Sequence, residues 1–277
     1  MPELPEVTTI TNQLKKEVVG KKISSVFINP IYKTIPASKR FKKDIAGSTI
    51  LEVTRIAKVM LLTLEKDTIK KYLVIHLAMT GAIRFYTANK SAFKQELVAI
   101  NFKDGSKISF TDQRRFGYVK LLDEVELAKL KNKYGPDPSE VTAIKFEKRI
   151  KSKNTNIKNA LLDQQIIAGI GNIYANEALF MAKIHPKTRT NNITTQQYSH
   201  LLAEIKQVLS DAIKHKGSTL SDLMYSDIYG KYGEHQKYFK IYGKQNENCA
   251  VCKTRIEFII LNGRGTYFCP ACQKLCL

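Results

Sequence analysis

The chain has 277 residues, 43% of them hydrophobic and 25% charged, with 45 Lys and Arg against 25 Asp and Glu for a formal charge of +20. This is a globular composition with apolar side chains for about two or three cores, which excludes a disordered basic tail, a collagen-like repeat and a low-complexity chain. No stretch approaches about eighteen apolar residues, and the start lacks the basic, apolar and small-residue succession of a secretory signal, so a soluble, cytoplasmic protein is expected. The positive surplus runs through the whole length, +12 over residues 1–120 and +8 over the rest. Such a spread suits a phosphate backbone gripped by several parts, so nucleic acid is the expected partner. A membrane surface is not expected, because no basic amphipathic helix stands out.

In chain order, Val7, Ile10, Leu14 and Val18 share one helical face within residues 3–19, with Pro5 near the start and Gly20 beyond the end. From 23 to 122 the pattern becomes short β-rich runs at 23–28, 50–56, 60–64, 72–77, 97–102, 108–110 and 118–122, with Asp104-Gly105 as a hairpin turn. These predict an antiparallel sandwich or barrel. After Asp123 the periodicity is helical, beginning with a charged run and a linker turn at Gly135-Pro-Asp-Pro138. One helix is predicted from Lys158 to Ile167, stopping at Gly169-Ile-Gly171, and another from Asn172, acting as N-cap, to Ala182. Thr194 with Gln197 forms a capping-box pattern for a further helix that Gly217 closes.

All five cysteines lie in the last 29 residues. Cys249-Ala-Val-Cys252 and Cys269-Pro-Ala-Cys272 are C-x2-C knuckles at the spacing that presents four thiolates to one tetrahedral zinc. Two disulfides are the alternative, disfavoured by the lack of a secretory signal. Runs at 255–260 and 266–268 around Asn262-Gly263 make the module a zinc-clamped β-hairpin, and Cys276 is surplus to the site.

The opening Met1-Pro-Glu-Leu-Pro-Glu-Val7 carries chemistry of its own. Removal of Met1 leaves Pro2 as a secondary amine, a nucleophile whose iminium is obligatorily cationic. The positive end of a following helix disfavours the protonated amine and frees its lone pair. Glu3 and Glu6 bring carboxylates within one turn, one as general acid and one to position the amine. Pro and Glu are also ordinary helix-start residues, and these seven residues alone leave that plainer reading open.

The opening Pro-Glu-Leu-Pro-Glu-Val, the segment Gly169-Ile-Gly-Asn-Ile-Tyr-Ala-Asn-Glu177 and the terminal Arg264-Gly-Thr-Tyr-Phe-Cys-Pro-Ala-Cys-Gln273 together resemble formamidopyrimidine-DNA glycosylase, in order and over essentially the whole chain. The resemblance implies an α+β multidomain fold: an N-terminal antiparallel β-sandwich with a leading helix (1–122), a linker and helix-two-turns-helix domain with a lesion loop (123–235), and a C-terminal zinc-finger hairpin (236–277). It implies a monomer that excises oxidised purines from damaged double-stranded DNA and cleaves the strand by β,δ-elimination, with one structural zinc. By matching, Pro2 attacks the deoxyribose C1′, Glu3 protonates the ring oxygen and Glu6 supports them. Among the residues matched as catalytic, Lys58 binds phosphate in the catalytic pocket and assists base excision, and Arg264 reaches the phosphate flanking the lesion. His76, Lys158, Asn172 and Tyr242 are further backbone contacts. Met79, Arg114 and Phe116 fill the gap left by the flipped base.

On their own, Lys58 and Lys158 read as exposed lysines, Asn172 as an N-cap, and Met79 and Phe116 as core residues at strand ends. The chain departs from the family at Thr80, where some relatives carry Glu, and after Asp227, where Ile228-Tyr229-Gly230 stands instead of an Asp-Gly run. Base preference is thereby left open. One rival is an enzyme resembling endonuclease VIII, which acts on oxidised pyrimidines; Leu-Pro after Glu3, rather than Gly-Pro, argues against it. The other is a zinc-finger DNA-binding protein without catalysis.

Overall fold

The computed structural model describes residues 2–88 and 95–275, so Cys276 lies outside the described residues. The chain divides into two compact units, the first formed by residues 1–132 and 215–234, the second by 133–214 and 235–277.

The first unit opens with α1 (Leu4–Val18), whose Val7, Ile10, Leu14 and Val18 are wholly buried, as the 3.6-residue period predicts. Two antiparallel four-stranded sheets follow. One has the order β1 (Ile23–Ile28), β6 (Val98–Phe102), β7 (Lys107–Asp112), β5 (Gly81–Tyr86). The other runs β2 (Thr49–Ile56), β3 (Val59–Lys66), β4 (Ile69–His76), β8 (Tyr118–Leu122). Alternating residues of both, such as Ile100, Phe110, Leu62 and Ile75, share one core with the buried face of α1. The predicted sandwich is present.

Two elements of this unit depart from the sequence expectation. β5 begins with glycine and carries Arg84, so only Ile83 is fully in the core and the strand lacks an apolar run. The helix α2 (Ser38–Ile45) is too short and too charged to show a period, but it buries Phe41 and Ile45 completely. A charged helix, α3 (Glu124–Lys131), ends the stretch, with an Asp123–Glu126 capping box. Residues 215–234, expected with the helical domain, belong instead to this unit, because Tyr225 and Ile228 are part of the sandwich core.

The second unit contains α4 (Ala143–Lys151), α5 (Ile157–Leu162), α6 (Asn172–Met181) and α7 (Thr195–Lys214), then the hairpin β9 (Glu257–Leu261) and β10 (Arg264–Phe268). α5 ends at Leu162, five residues before the predicted stop, because Asp163 turns the chain through bonds to Gln165 and Ile166. The N-cap of α6 is Gly171 and not Asn172, whose side chain is engaged elsewhere. Buried Tyr198 in α7 packs edge-on against Phe146 of α4. Among the described residues no helix is long and apolar enough to cross a membrane.

Candidate functional site

In the first unit Pro2, Glu3 and Glu6 are all buried around the start of α1. The Glu3 N–H donates to Glu6 Oε2 at 2.8 Å, and the Ser218 N–H donates to Glu6 Oε1 at 2.7 Å. One carboxylate thus joins the opening turn to the segment 215–234. The junction has no room for a side chain at Gly217, where φ is +79° and an added Cβ would lie 2.7 Å from Glu6 Oε1. Nor is there room at Gly233, where a Cβ would meet the Gly217 carbonyl at 2.4 Å.

Segment 215–234 is fixed at several further points. Gln13 Nε2 donates to Asp227 Oδ2 at 2.8 Å, while Asp227 Oδ1 accepts the N–H groups of Tyr229 and Lys231 at 3.0 and 2.8 Å. Arg84 donates to the Asp227 carbonyl at 3.0 Å and also to the Ser226 hydroxyl, and the Phe85 N–H donates to the Ile228 carbonyl at 2.9 Å. Asp227 therefore organises the turn that carries the departing residues Ile228-Tyr229-Gly230.

Lys58 sits in the two-residue turn between β2 and β3, preceded by Ala57 at φ +54°. Arg55 holds this turn beside α1, donating from Nε to Thr8 Oγ1 at 2.7 Å and from Nη1 to the Ala57 carbonyl at 3.2 Å. Burial, and then the nearby Lys58 ammonium, hold the His76 imidazole below its ordinary pKa of 6.5, while Asp112 opposes them. The His76 ring stacks on Tyr118 at 5.2 Å.

Met79, Arg114 and Phe116 come together, and both apolar members point outward, 42% and 60% exposed. The core reading of Met79 and Phe116 is thereby overturned. The Arg114 guanidinium donates to the Met79 sulfur at 3.3 Å and lies 4.7 Å from the Phe116 ring centroid. Their scaffold is buried Asp112, which accepts the Gly117 N–H at 2.7 Å, the Arg114 N–H at 3.2 Å and the Thr80 hydroxyl. Thr80 also accepts the Arg114 N–H at 3.1 Å, so it supports this group. A Cβ at Gly117 would meet the His76 carbonyl at 2.5 Å, which fixes glycine there.

In the second unit the hairpin rests on α5 and α6. Lys158 is wholly buried, contrary to the reading of an exposed lysine: its Nζ donates to the Gly265 carbonyl at 2.8 Å and to Thr266 Oγ1 at 2.7 Å. An ammonium held inside in this way is a strut beneath the hairpin. Asn172 Nδ2 donates to the same carbonyl at 3.1 Å, and Asn176 Oδ1 accepts the Tyr267 N–H at 2.9 Å. Asn172 Oδ1 is buried with no hydrogen-bond partner among the described residues.

Glu177, within the Gly169–Glu177 segment, is a functional residue that its local sequence does not single out. Its buried carboxylate accepts the N–H groups of Lys240, Ile241 and Tyr242 at 2.8, 3.0 and 2.7 Å, which fixes the half-buried Tyr242 ring against Tyr267 at 5.2 Å. Burial pushes this carboxyl up, and the three N–H groups oppose it. The signal it shares is the helical register Asn172, Asn176, Glu177, three polar residues in an otherwise apolar helix. Arg264 is exposed in the wall of a groove of about 500 Å³ shared with Lys153, Asn159 and Asp163.

The Sγ atoms of Cys249, Cys252, Cys269 and Cys272 all lie within 4.8 Å of one another, with 3.9 Å between Cys249 and Cys272 and 3.4 Å between Cys252 and Cys269. Zn–S bonds of about 2.3 Å give a tetrahedron with edges of about 3.8 Å, so the four thiolates fit one structural zinc ion. A small cluster of Phe180, Ile241 and Ile256 packs beside Cys249 and Cys269.

Three family models match the chain: the formamidopyrimidine-DNA glycosylase N-terminal domain over residues 1–119, its H2TH domain over 134–223, and a zinc finger found in FPG and IleRS over 246–275. The formamidopyrimidine-DNA glycosylase of Herpetosiphon aurantiacus is 38% identical over 277 residues, covering 99% of this chain and all of the relative. Two solved structures of the Lactococcus lactis protein superpose closely. One, bound to DNA containing an abasic site, has a TM-score of 0.87 at 33% identity and covers 98% of this chain and 99% of that one. The other, a variant bound to Fapy-dG DNA, has 0.88 at 34% and covers 99% and 100%. With three models matching in sequence order and a relative aligned from end to end, the chain belongs to the formamidopyrimidine-DNA glycosylase family.

Proposed function

We propose that the chain is a base-excision-repair glycosylase and abasic-site lyase that removes oxidised purines, formamidopyrimidines and 8-oxoguanine, from duplex DNA. It acts as a monomer in the cytoplasm. The observation that carries the reading is the buried Pro2-Glu3 turn, held by the Glu6 carboxylate, in a chain of this family.

Loss of Met1 leaves the Pro2 nitrogen with a lone pair at the positive end of α1. That pair forms a bond to C1′ while the bond from C1′ to the base breaks and its electrons leave with the base. The nitrogen then gives its N–H proton to the departing base, Glu3 gives its proton to the ring oxygen as the bond from C1′ to that oxygen breaks, and the nitrogen lone pair so restored closes a cationic iminium between Pro2 and C1′. Loss of a C2′ proton then expels the 3′ phosphate, and a second elimination expels the 5′ phosphate. Glu6 is a positioning residue, since both of its oxygens accept backbone N–H groups.

Lys58 and His76 hold phosphate in the first unit, and Asn172, Tyr242 and Arg264 do so in the second. Lys158 acts through the hairpin carbonyl it supports. Met79 and Phe116 enter the base stack and Arg114 donates to the base left opposite. Segment 215–234 receives the flipped base, so the catalytic part is residues 1–122 with that segment, followed by the helical part and the finger 236–277. Cys249, Cys252, Cys269 and Cys272 would hold the zinc ion, which would supply a structural clamp on the hairpin.

Borohydride trapping on a duplex containing formamidopyrimidine or 8-oxoguanine tests the mechanism. The processed protein is expected to become covalently linked to the DNA, and acetylation of the Pro2 nitrogen or Pro2→Gly to reduce the adduct by more than tenfold. A processed protein that cleaves damaged DNA without forming an adduct overturns it.

A further inference from the structure

We propose that the outward face of α2 is a second DNA contact, made to the phosphates of a duplex segment other than the one held at the Pro2 centre. The inference rests on the glycosylase reading and adds a site to it. α2 turns Phe41 and Ile45 wholly into the core and leaves Lys39, Arg40, Lys42 and Lys43 exposed on the rest of its circumference. Lys66 Nζ donates to the Lys43 carbonyl at 3.4 Å, which brings the β3–β4 turn and exposed Lys70 alongside.

Part of this arrangement works against the helix. Lys39 occupies its first turn, where the macrodipole opposes a cation and no acidic residue of that turn offsets it, whereas Lys42 and Lys43 suit the last turn. Lys39 and Lys43 are like charges one turn apart. The only acid of the helix, Asp44, is already paired with Lys71 at 2.6 Å and Arg40 at 3.6 Å. A polyanion relieves all of these repulsions at once.

The patch is also separate from the reaction centre. Val59 at the start of β3 and Lys66 at its end are about 23 Å apart at about 3.3 Å per residue, and Lys58 lies beyond Val59. Because the apolar face of α2 is occupied by the core, nothing remains to enter a lipid layer, and duplex DNA is the polyanion of this enzyme's surroundings.

The test compares the full-length protein with the variant K39Q/R40Q/K42Q/K43Q, whose four side chains are exposed. Single-turnover cleavage of a lesion duplex of about 15 base pairs is expected to stay within about twofold, whereas cleavage of the same lesion in a plasmid falls about fivefold or more at moderate salt. Binding to undamaged duplex of about 60 base pairs weakens, and its log–log salt slope becomes shallower by about 0.9 for each phosphate no longer neutralised. Unchanged plasmid cleavage and slope overturn the proposal, as does an equal loss on the short duplex, which would merge the patch with the primary site. Loss of binding to phosphatidylserine vesicles with plasmid cleavage intact also overturns it. If the unmodified protein cleaves neither substrate, the glycosylase reading fails, and the salt slope on undamaged DNA still decides the patch.

Discussion

Replacing Gly217 by alanine strikes the junction between the opening turn and segment 215–234. At φ +79° an L-residue costs about 1–2 kcal/mol. The new Cβ would lie 2.7 to 3.1 Å from Oε1, Cγ and Cδ of Glu6, so that side chain must move. Its movement breaks the bond from the Ser218 N–H, a buried bond to a carboxylate of the kind that contributes about 1.5–3 kcal/mol. The expected loss is therefore about 2.5–5 kcal/mol. The chain has no tryptophan, so urea unfolding is followed by far-ultraviolet circular dichroism, with borohydride trapping as the functional readout. Glu6→Asp draws the carboxylate back from the intruding Cβ. In that background Gly217→Ala should cost only its backbone share, leaving a coupling of about 1.5 kcal/mol or more between the two positions. A loss below about 0.5 kcal/mol for the single variant, or equal losses in both backgrounds, refutes the reasoning.

Lys158→Met, which keeps the buried stem and removes the ammonium, should lower stability by about 1–3 kcal/mol and speed zinc loss to a chelator. It should leave the salt slope of DNA binding unchanged; a slope reduced by about 0.9 would restore Lys158 as a direct phosphate ligand. His76 titrates below 6.5 in the folded protein, so below that pH the unfolded chain binds the extra proton first. Its contribution therefore makes stability fall as pH drops from 6.5 through the folded value, and His76→Gln should flatten that part of the stability profile measured by urea titration. A profile of the same steepness in the variant would count against the assignment.

What the sequence disclosed depended on how far each residue's partner lies along the chain. The α1 face, the paired strands and the two C-x2-C knuckles are local patterns, and a reader of the sequence meets all the necessary residues within one element. Lys158 was misread because its fate is set by the Gly265 carbonyl, 107 positions away, and nothing near residue 158 signals burial. Segment 215–234 was assigned to the helices that precede it, yet its partners are Glu6 and Gln13, more than 200 positions back, and Arg84. α2 escaped notice because two apolar residues in eight make no period. The exposure of Met79 and Phe116 was unreadable for the opposite reason: hydropathy places both in a core, while the turns built around Asp112 present them outward.

The first unit is discontinuous in the chain, and this limits how the protein can be dissected. A stop codon after Asn132 would yield a sandwich without Tyr225 and Ile228 in its interior and with the Glu6 carboxylate missing its Ser218 neighbour. No single proteolytic nick liberates either half intact. Fragments meant for separate study need an artificial bridge from about residue 132 to 215, and a matching one from 214 to 235 in the complementary piece.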